Sequence, residues 1–358
     1  MKWWAVALTL ATWAFCQGPD AVAPEPSLRE AAASSSMLIG TAVRTAQLSE
    51  SAYASTLARQ FNMLEPEDAL KWEVVHPERQ TFDFYQADQI VEFAGRHGMK
   101  IRGHTLVWHR QNPKWLTEGK FASTELAEIL EKHIKTVVGH YRGKIFAWDV
   151  VNEASDEVHP GELRSTIWRD QPGIGPTTNG YGYMERCFRW AHEADPQALL
   201  FYNEGADTEA VNAKSDAIYA MVRDFRQRGV PIDGVGLQMH VSNLHADVKS
   251  VAANIRRFTA LGVQIHITEM DVSLPVDANG NATAADLQAE ADVYRKIAVV
   301  CLANPGCTAI QTWGFTDKYS WIGSHSKHTQ GAALLFDRNY RAKPATEALR
   351  NALAAGRP

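Results

Sequence analysis

The run of apolar segments along this 358-residue chain predicts an α/β fold, a (β/α)8 barrel built as a single domain. Three observations predict it. Eight short, β-branched runs alternate with amphipathic helical stretches from about Leu28 onward. Polar and charged residues gather at the C-terminal ends of those runs, which a parallel barrel brings to one face. No sequence repeat, low-complexity linker or appended module interrupts the alternation.

The strands are expected at Leu38–Val43, Phe61–Leu64, Lys100–Trp108, Phe146–Val151, Ala198–Asn203, Gly234–His240, Gln264–Thr268 and Ala309–Phe315. Between them, apolar residues recur at helical spacing. Ile90, Phe93 and Ala94 mark a helix over Gln86–Gly98, and Ile129, Leu130, Ile134, Val137 and Val138 mark one over Leu126–Tyr141. Ile218, Met221, Val222 and Phe225 predict a helix over Ala217–Arg228, and Val293, Ile297 and Val300 one over Leu287–Leu302. Pro344 opens a last helix to Ala355, at a first-turn position where its missing N–H costs nothing. The longest irregular stretch, Ser155–Tyr183, follows Glu153 and is expected on the catalytic face. Its glycine-rich part lacks the Lys-Ser/Thr of a phosphate loop.

Residues 1–26 read as a signal peptide and short tail, and 27–358 as the barrel domain. Met1-Lys2 is a short positive start, and Trp3–Phe15 is apolar but too short to span a bilayer. Pro19, Pro24 and Pro26 then break any helix. The protein is therefore expected outside the cytoplasm, periplasmic or extracellular, with no membrane contact once the leader is removed. A net charge of −5, without a Lys/Arg cluster, argues against nucleic acid and favours a neutral substrate. Of the four cysteines, Cys301 and Cys307 flank a Pro-Gly turn, and either form a disulfide or are two buried thiols. No Cys/His set has metal-ligand spacing, so neither metal nor cofactor is expected.

Two glutamates stand out. Glu153 closes Phe146-Ala-Trp-Asp-Val-Val-Asn-Glu153, and Glu269 lies in Gln264-Ile-His-Ile-Thr-Glu-Met-Asp271. Burying an ionised carboxylate is costly unless it is paired. At the mouth of a parallel barrel, however, two carboxylates have the makings of a glycosidase's acid and nucleophile. His104, Trp108, Gln111, Asn152, Asn203, Glu204, Gln238, His240, Asp271 and Trp313 fall at other strand ends, and Glu67, Asp68 and Lys71 follow the second. Each alone is as readily structural as functional. The set is hard to explain by chance.

Together these residues resemble glycoside hydrolase family 10, the endo-β-1,4-xylanases. Gly103-His-Thr-Leu-Val-Trp-His109, Trp148-Asp-Val-Val-Asn-Glu153, Gly236-Leu-Gln-Met-His240, Ile267-Thr-Glu-Met-Asp271 and Thr312-Trp-Gly314 carry the resemblance. Asp317-Lys-Tyr-Ser-Trp-Ile322 and Gly331-Ala-Ala-Leu-Leu-Phe-Asp337 extend it, and it covers about Ser27 to Ala355. It implies hydrolysis of xylan and xylo-oligosaccharides with retained configuration; a monomer is expected. Glu153 is then the general acid/base and Glu269 the nucleophile. Asn152 is implied to bond the sugar 2-hydroxyl, with His240 and Asp271 orienting Glu269. Glu67, Asp68, Lys71, His104, Trp108, Gln111 and Gln238 become glycone-side binders, walled by Trp313 and Trp321. The resemblance also favours the Cys301–Cys307 disulfide. The negative charge of Glu269 is expected to keep Glu153 protonated in the free enzyme.

The chain departs from the family pattern in three places. Glu67-Asp68 stands where Glu-Asn is usual, which exchanges two amide donors for an acceptor. Asp68 then accepts from sugar hydroxyls or pairs with Lys71, and the second glycone subsite is expected to be weakened or retuned. The loop Gly323–Gln330 lacks the usual Pro/Gly pattern beside Trp321, and Asn203-Glu204-Gly205 replaces an Asn-acid-Tyr sequence. Competing readings are a retaining enzyme for another β-1,4-glucan or aryl cellobiosides, and a barrel that binds xylan without cleaving it. The second normally loses one carboxylate; here both are present.

Overall fold

The computed structural model describes residues 1, 25–170, 173–174, 180–242, 244 and 246–357. The expected leader falls almost wholly outside them, as does part of the 155–183 segment. Eight strands form the barrel: β1 (Leu38–Val43), β2 (Met63–Pro66), β3 (Lys100–Gly103), β4 (Ala147–Asn152), β5 (Leu199–Glu204), β6 (Gly234–Leu237), β7 (Gln264–Val272) and β8 (Cys307–Thr312). Each pairs in parallel with the next, and β8 pairs with both β7 and β1, closing the ring. Closure leaves the eight-stranded ring itself without an open edge.

The strands sit within a few residues of their expected positions. β3 is the main difference: it stops at Gly103, and His104–Trp108 peel away, tied back through the Val107–Val151 bridge. A regular strand would send alternate side chains to opposite faces. The departure gives His104 and Trp108 other directions. β7 is longer than expected and runs through Glu269 to Val272. Of the helices, Pro344–Ala355 matches, and Ser123–His140 and Ala284–Leu302 begin three residues early. Ser51–Gln60, Gly182–Ala194 and Val248–Thr259 are helices that sequence periodicity did not single out.

Beneath the ring's mouth the barrel interior is polar. Arg102, fully buried, donates Nε to Asp149 Oδ2 at 3.0 Å and Nη2 to Asp149 Oδ1, and sets Nη1 2.8 Å from His266 Nδ1. Charged residues buried at this depth persist only when paired. Between the strands and helices the core is apolar, with Trp148, Tyr53, Phe188, Phe225 and Phe258 among its largest members. Cys301 and Cys307 are joined as a disulfide, fastening the end of helix Ala284–Leu302 to the start of β8. Cys187 is a buried free thiol.

Candidate active site

Glu153 follows the last residue of β4 in a left-handed backbone conformation, φ 53°. For a side-chain-bearing residue this costs on the order of 1–3 kcal/mol and must be held by its surroundings. Its N–H donates to Asn203 O at 3.0 Å, and its carbonyl accepts from Arg164 Nε at 3.3 Å. Both carboxylate oxygens accept hydrogen bonds: Oε1 from Gln238 Nε2 at 3.0 Å and Oε2 from Trp108 Nε1 at 2.8 Å. Burial pushes this carboxyl up, but those two hydrogen bonds, with the imidazoles of His109 and His104, outweigh it and hold Glu153 below its ordinary 4.5. Burial holds His109 itself down at about 4, so it is neutral at neutral pH. The lowered pKa of Glu153 corrects the expectation that the free enzyme keeps it protonated: donors on both oxygens favour the ionised form.

Glu269 is carried inward by β7 and is nearly buried. Its Oε1 accepts from Asn203 Nδ2 at 2.7 Å, and His240 Nε2 lies 3.2 Å from its Oε2. The other imidazole nitrogen of His240 is 3.0 Å from Asp271 Oδ2, which also accepts from Trp321 Nε1 at 2.8 Å. Burial lowers the His240 pKa, but Asp271 and then Glu269 outweigh it and raise it well above 6.5. A protonated ring donates from both nitrogens, so the carboxylate of Glu269 faces a cation. Asn152 joins the two halves. Its Oδ1 accepts from Asn203 Nδ2 at 2.9 Å and Gln238 Nε2 at 3.3 Å, and its Nδ2 lies 3.4 Å from Glu153 Oε1.

On one flank, Glu67 accepts from Arg44 at 2.5 Å and Asp68 lies 3.2 Å from Arg44 and 3.6 Å from Lys71. Asp68 thus pairs with two cations, one of which, Arg44, the sequence did not bring to notice. Lys71 Nζ lies 4.8 Å from the Trp108 ring centre and 5.5 Å from that of Trp313. Gln111 donates to Glu73 at 3.0 Å and lies 3.5 Å from Asp68. His104 presents an edge to Trp313, with ring centres 5.3 Å apart, and its Nδ1 lies 2.9 Å from Asp149 Oδ2. All the expected residues thus lie in one connected set of contacts. Gln238 and Trp108, however, touch Glu153 itself.

Asn203, Asp149, Arg102 and Glu65 support this face and were not assigned roles from sequence. The available signal was a charged residue inside an apolar strand, as in Met63-Leu-Glu-Pro66 and Trp148-Asp-Val150, which burial tolerates only with partners. Gly205 has a specific reason. A Cβ there would lie 1.9 Å from Gln238 Oε1, so the unusual glycine leaves room for the amide that reaches Glu153. The loop after Glu153 does return to the site, through Arg164. The Trp321 loop is pinned where Gln330–Gly331 pair antiparallel with Leu274–Pro275.

The described face thus offers two carboxylates in unlike surroundings, one with neutral donors on both oxygens and one beside an imidazolium. Amide, indole and ammonium groups surround them. That is equipment for acid–base and nucleophilic work on a neutral, hydroxyl-rich substrate.

Comparison with known proteins agrees with that chemistry. Residues 27–352 match the family model described as Glycosyl hydrolase family 10. Endo-1,4-beta-xylanase B of Thermotoga neapolitana is 46% identical over 298 residues, 83% of this chain and 82% of that protein. Beta-1,4-xylanase of Dictyoglomus thermophilum is 39% identical over 301 residues, 82% of each. The crystal structure of xylanase 10B from Thermotoga petrophila in complex with xylobiose superposes with a TM-score of 0.86 at 42% identity, covering 92% of this chain and 98% of that one.

Proposed function

The chain belongs to glycosyl hydrolase family 10, and from that premise we propose that it is an endo-1,4-β-xylanase, cutting internal bonds of xylan with retention of configuration. The observation that carries the reading is the pair of carboxylates in contrasting environments. Glu153 is held by Gln238 and Trp108, and Glu269 by His240 and Asn203.

In the first step Glu269 attacks the anomeric carbon while Glu153 gives its proton to the leaving glycosidic oxygen. The C–O bond to the leaving sugar breaks as the ester bond to Glu269 forms. In the second step Glu153, now a carboxylate, takes a proton from water, which attacks the same carbon and returns Glu269 as a carboxylate. Retaining pairs stand about 5–5.5 Å apart, close enough for direct attack. His240 and Asn203 each hold one oxygen of Glu269, which orients the carboxylate for attack. Asn152, 3.4 Å from Glu153 Oε1 and bonded to the Asn203 amide that holds Glu269, is the candidate for the sugar 2-hydroxyl. Lys71, His104, Gln111, Glu67 and Asp68 supply hydroxyl partners on the glycone side. Trp108, Trp313 and Trp321 supply apolar walls.

The apolar start of the chain and the 301–307 disulfide support a secreted protein, periplasmic or extracellular. We take the working unit to be a monomer.

Product analysis on soluble β-1,4-xylan tests the reading. Wild type releases short xylo-oligomers and Glu269→Ala loses activity by several orders of magnitude. Absence of wild-type cleavage removes the substrate assignment. Preference for carboxymethyl-cellulose over xylan transfers it to a glucan, and cleavage surviving in the variant removes Glu269 as nucleophile.

A further inference from the structure

Below the proposed sugar-binding groups, the barrel holds a carboxyl that no cation hydrogen-bonds among the described residues. Glu65, on β2, is fully buried. Its Oε2 accepts from the amide of Gln311, while its Oε1 has no hydrogen-bond partner among the described residues. His104 Nδ1 stands 3.3 Å from that oxygen but is turned to Asp149 Oδ2 at 2.9 Å. The guanidinium of Arg102 is taken up by Asp149 and His266. Ligand-type atoms of Glu65, His104 and Glu269 lie within 4.8 Å of one another.

The charged and titratable groups facing Glu65 are thus Arg102 from β3, His104 just beyond it, Asp149 from β4 and Glu269 from β7. From β8 it meets the neutral amide of Gln311. Ionised, Glu65 would be a third carboxylate beside Asp149, which takes up the Arg102 guanidinium, and Glu269, which has His240. A buried charge so placed takes up a proton instead. A neutral carboxyl also avoids burying an ionised oxygen that has no hydrogen-bond donor among the described residues.

We propose that Glu65 is a proton-bearing positioning residue of this active site: with Asp149 it brackets the His104 ring, and being neutral it adds no charge beside Glu269. Burial, and next the charge of Asp149, push its carboxyl well above the ordinary 4.5, in agreement.

The kinetic arm of the test rests on the xylanase reading; the stability arm does not. Glu65→Ala removes the bracket and lowers kcat/KM on xylotriose about tenfold or more, chiefly through KM. Glu65→Gln, neutral and of the same shape, restores most of the loss. An Ala variant with wild-type kinetics, or a Gln variant as poor as Ala, overturns the proposal.

The stability arm compares Tm of wild type and Glu65→Gln from pH 4 to 8. A carboxyl whose folded pKa is raised contributes stability that is complete below the unfolded value and lost as pH rises towards the folded one. The Gln variant should therefore gain on wild type as pH rises. A Tm difference that stays flat overturns proton occupancy, even if the Ala variant does not fold. If wild type cleaves no xylo-oligomer, the xylanase reading fails while the pH–stability comparison still decides Glu65.

Discussion

The indole of Trp108 donates to Glu153 Oε2 at 2.8 Å, so the aromatic wall of the site is also a bonding partner of the proposed acid/base. Gln238 occupies the other oxygen at 3.0 Å. Both bonds stabilise the carboxylate and lower the pH at which the free enzyme loses its acid.

Trp108→Phe should therefore move the alkaline limb of kcat/KM to higher pH. Removing a donor from a charged acceptor costs about 1.5–3 kcal/mol, so the move should be about one pH unit or somewhat more. The sign follows directly: without the donor the ionised form is less favoured, and Glu153 stays protonated further into the alkaline range. Overall kcat/KM falls because the wall is altered, so the position of the limb, not its height, is the measurement. An unmoved limb would mean that Trp108 does not control the ionisation of Glu153.

His240 makes an opposite kind of prediction. Its pKa is raised by Asp271 and Glu269 against the pull of burial. A raised histidine contributes stability that is complete below its unfolded value, about 6.5, and lost as pH climbs through the folded value. The Tm gap between wild type and His240→Gln should thus be widest in acid and narrow on the alkaline side. The same variant weakens the support of Glu269, and a loss of roughly 10²-fold in kcat is expected. A gap that widens with pH would mean the ring is neutral.

Asp68 is half-exposed between Arg44 and Lys71. The pair with half-exposed Arg44 contributes about 0–1 kcal/mol and buried Lys71 stands 3.6 Å off, so Asp68→Asn should lower Tm only slightly. Kinetics should respond instead. The amide supplies donors that the carboxylate lacks, and KM for xylotriose and xylotetraose should fall severalfold with little change in kcat. Identical kinetics on both oligomers would show that Asp68 does not shape the second glycone subsite.

These predictions draw on parts of the molecule that were unequally legible. Glu153, Glu269, His240 and Asp271 could be read because strand ends in a parallel barrel converge, and a carboxylate there breaks an apolar pattern. The partners of Glu153 could not. Trp108 reaches it only because β3 ends at Gly103 and the chain turns, a departure from regular pleating that periodicity does not encode. The ionisation bias of Glu153 was misjudged for the same reason: charge spacing was visible, while hydrogen-bond direction was not. Glu65 was overlooked because the second strand is expected over Phe61–Leu64, one residue short of it, whereas the strand runs Met63–Pro66. Helix Gly182–Ala194 was hidden behind the irregular stretch before it, whose glycines dominated the reading.

The disulfide tests the fastening of β8. It closes a short loop, for which the chain-entropy model gives roughly 2 kcal/mol. Replacing both Cys301 and Cys307 by Ser should lower Tm by a few degrees and leave kcat per folded molecule near wild type, since neither residue contacts the carboxylates. A large drop in kcat at temperatures well below the transition would instead mean that β8, and with it Trp313, shifts when the link is cut.

The sharpest separation of the two glutamates comes from Glu153→Ala assayed on two classes of substrate. On xylan the leaving sugar is a poor leaving group and needs the proton of Glu153, so loss of general acid catalysis should cost roughly 10²–10⁴-fold. On an aryl xylobioside whose phenolate leaves unaided, the first step should survive. The glycosyl-enzyme should then accumulate, because nothing deprotonates the incoming water. A small anion such as azide needs no deprotonation. Adding it should restore turnover and yield a β-glycosyl azide, the configuration that two displacements at Glu269 require. Glu269→Ala lacks the group that forms the intermediate, so the same anion cannot give the β product by that route. An α-azide from Glu153→Ala, or equal rescue of both variants, would exchange or remove the roles assigned to the pair.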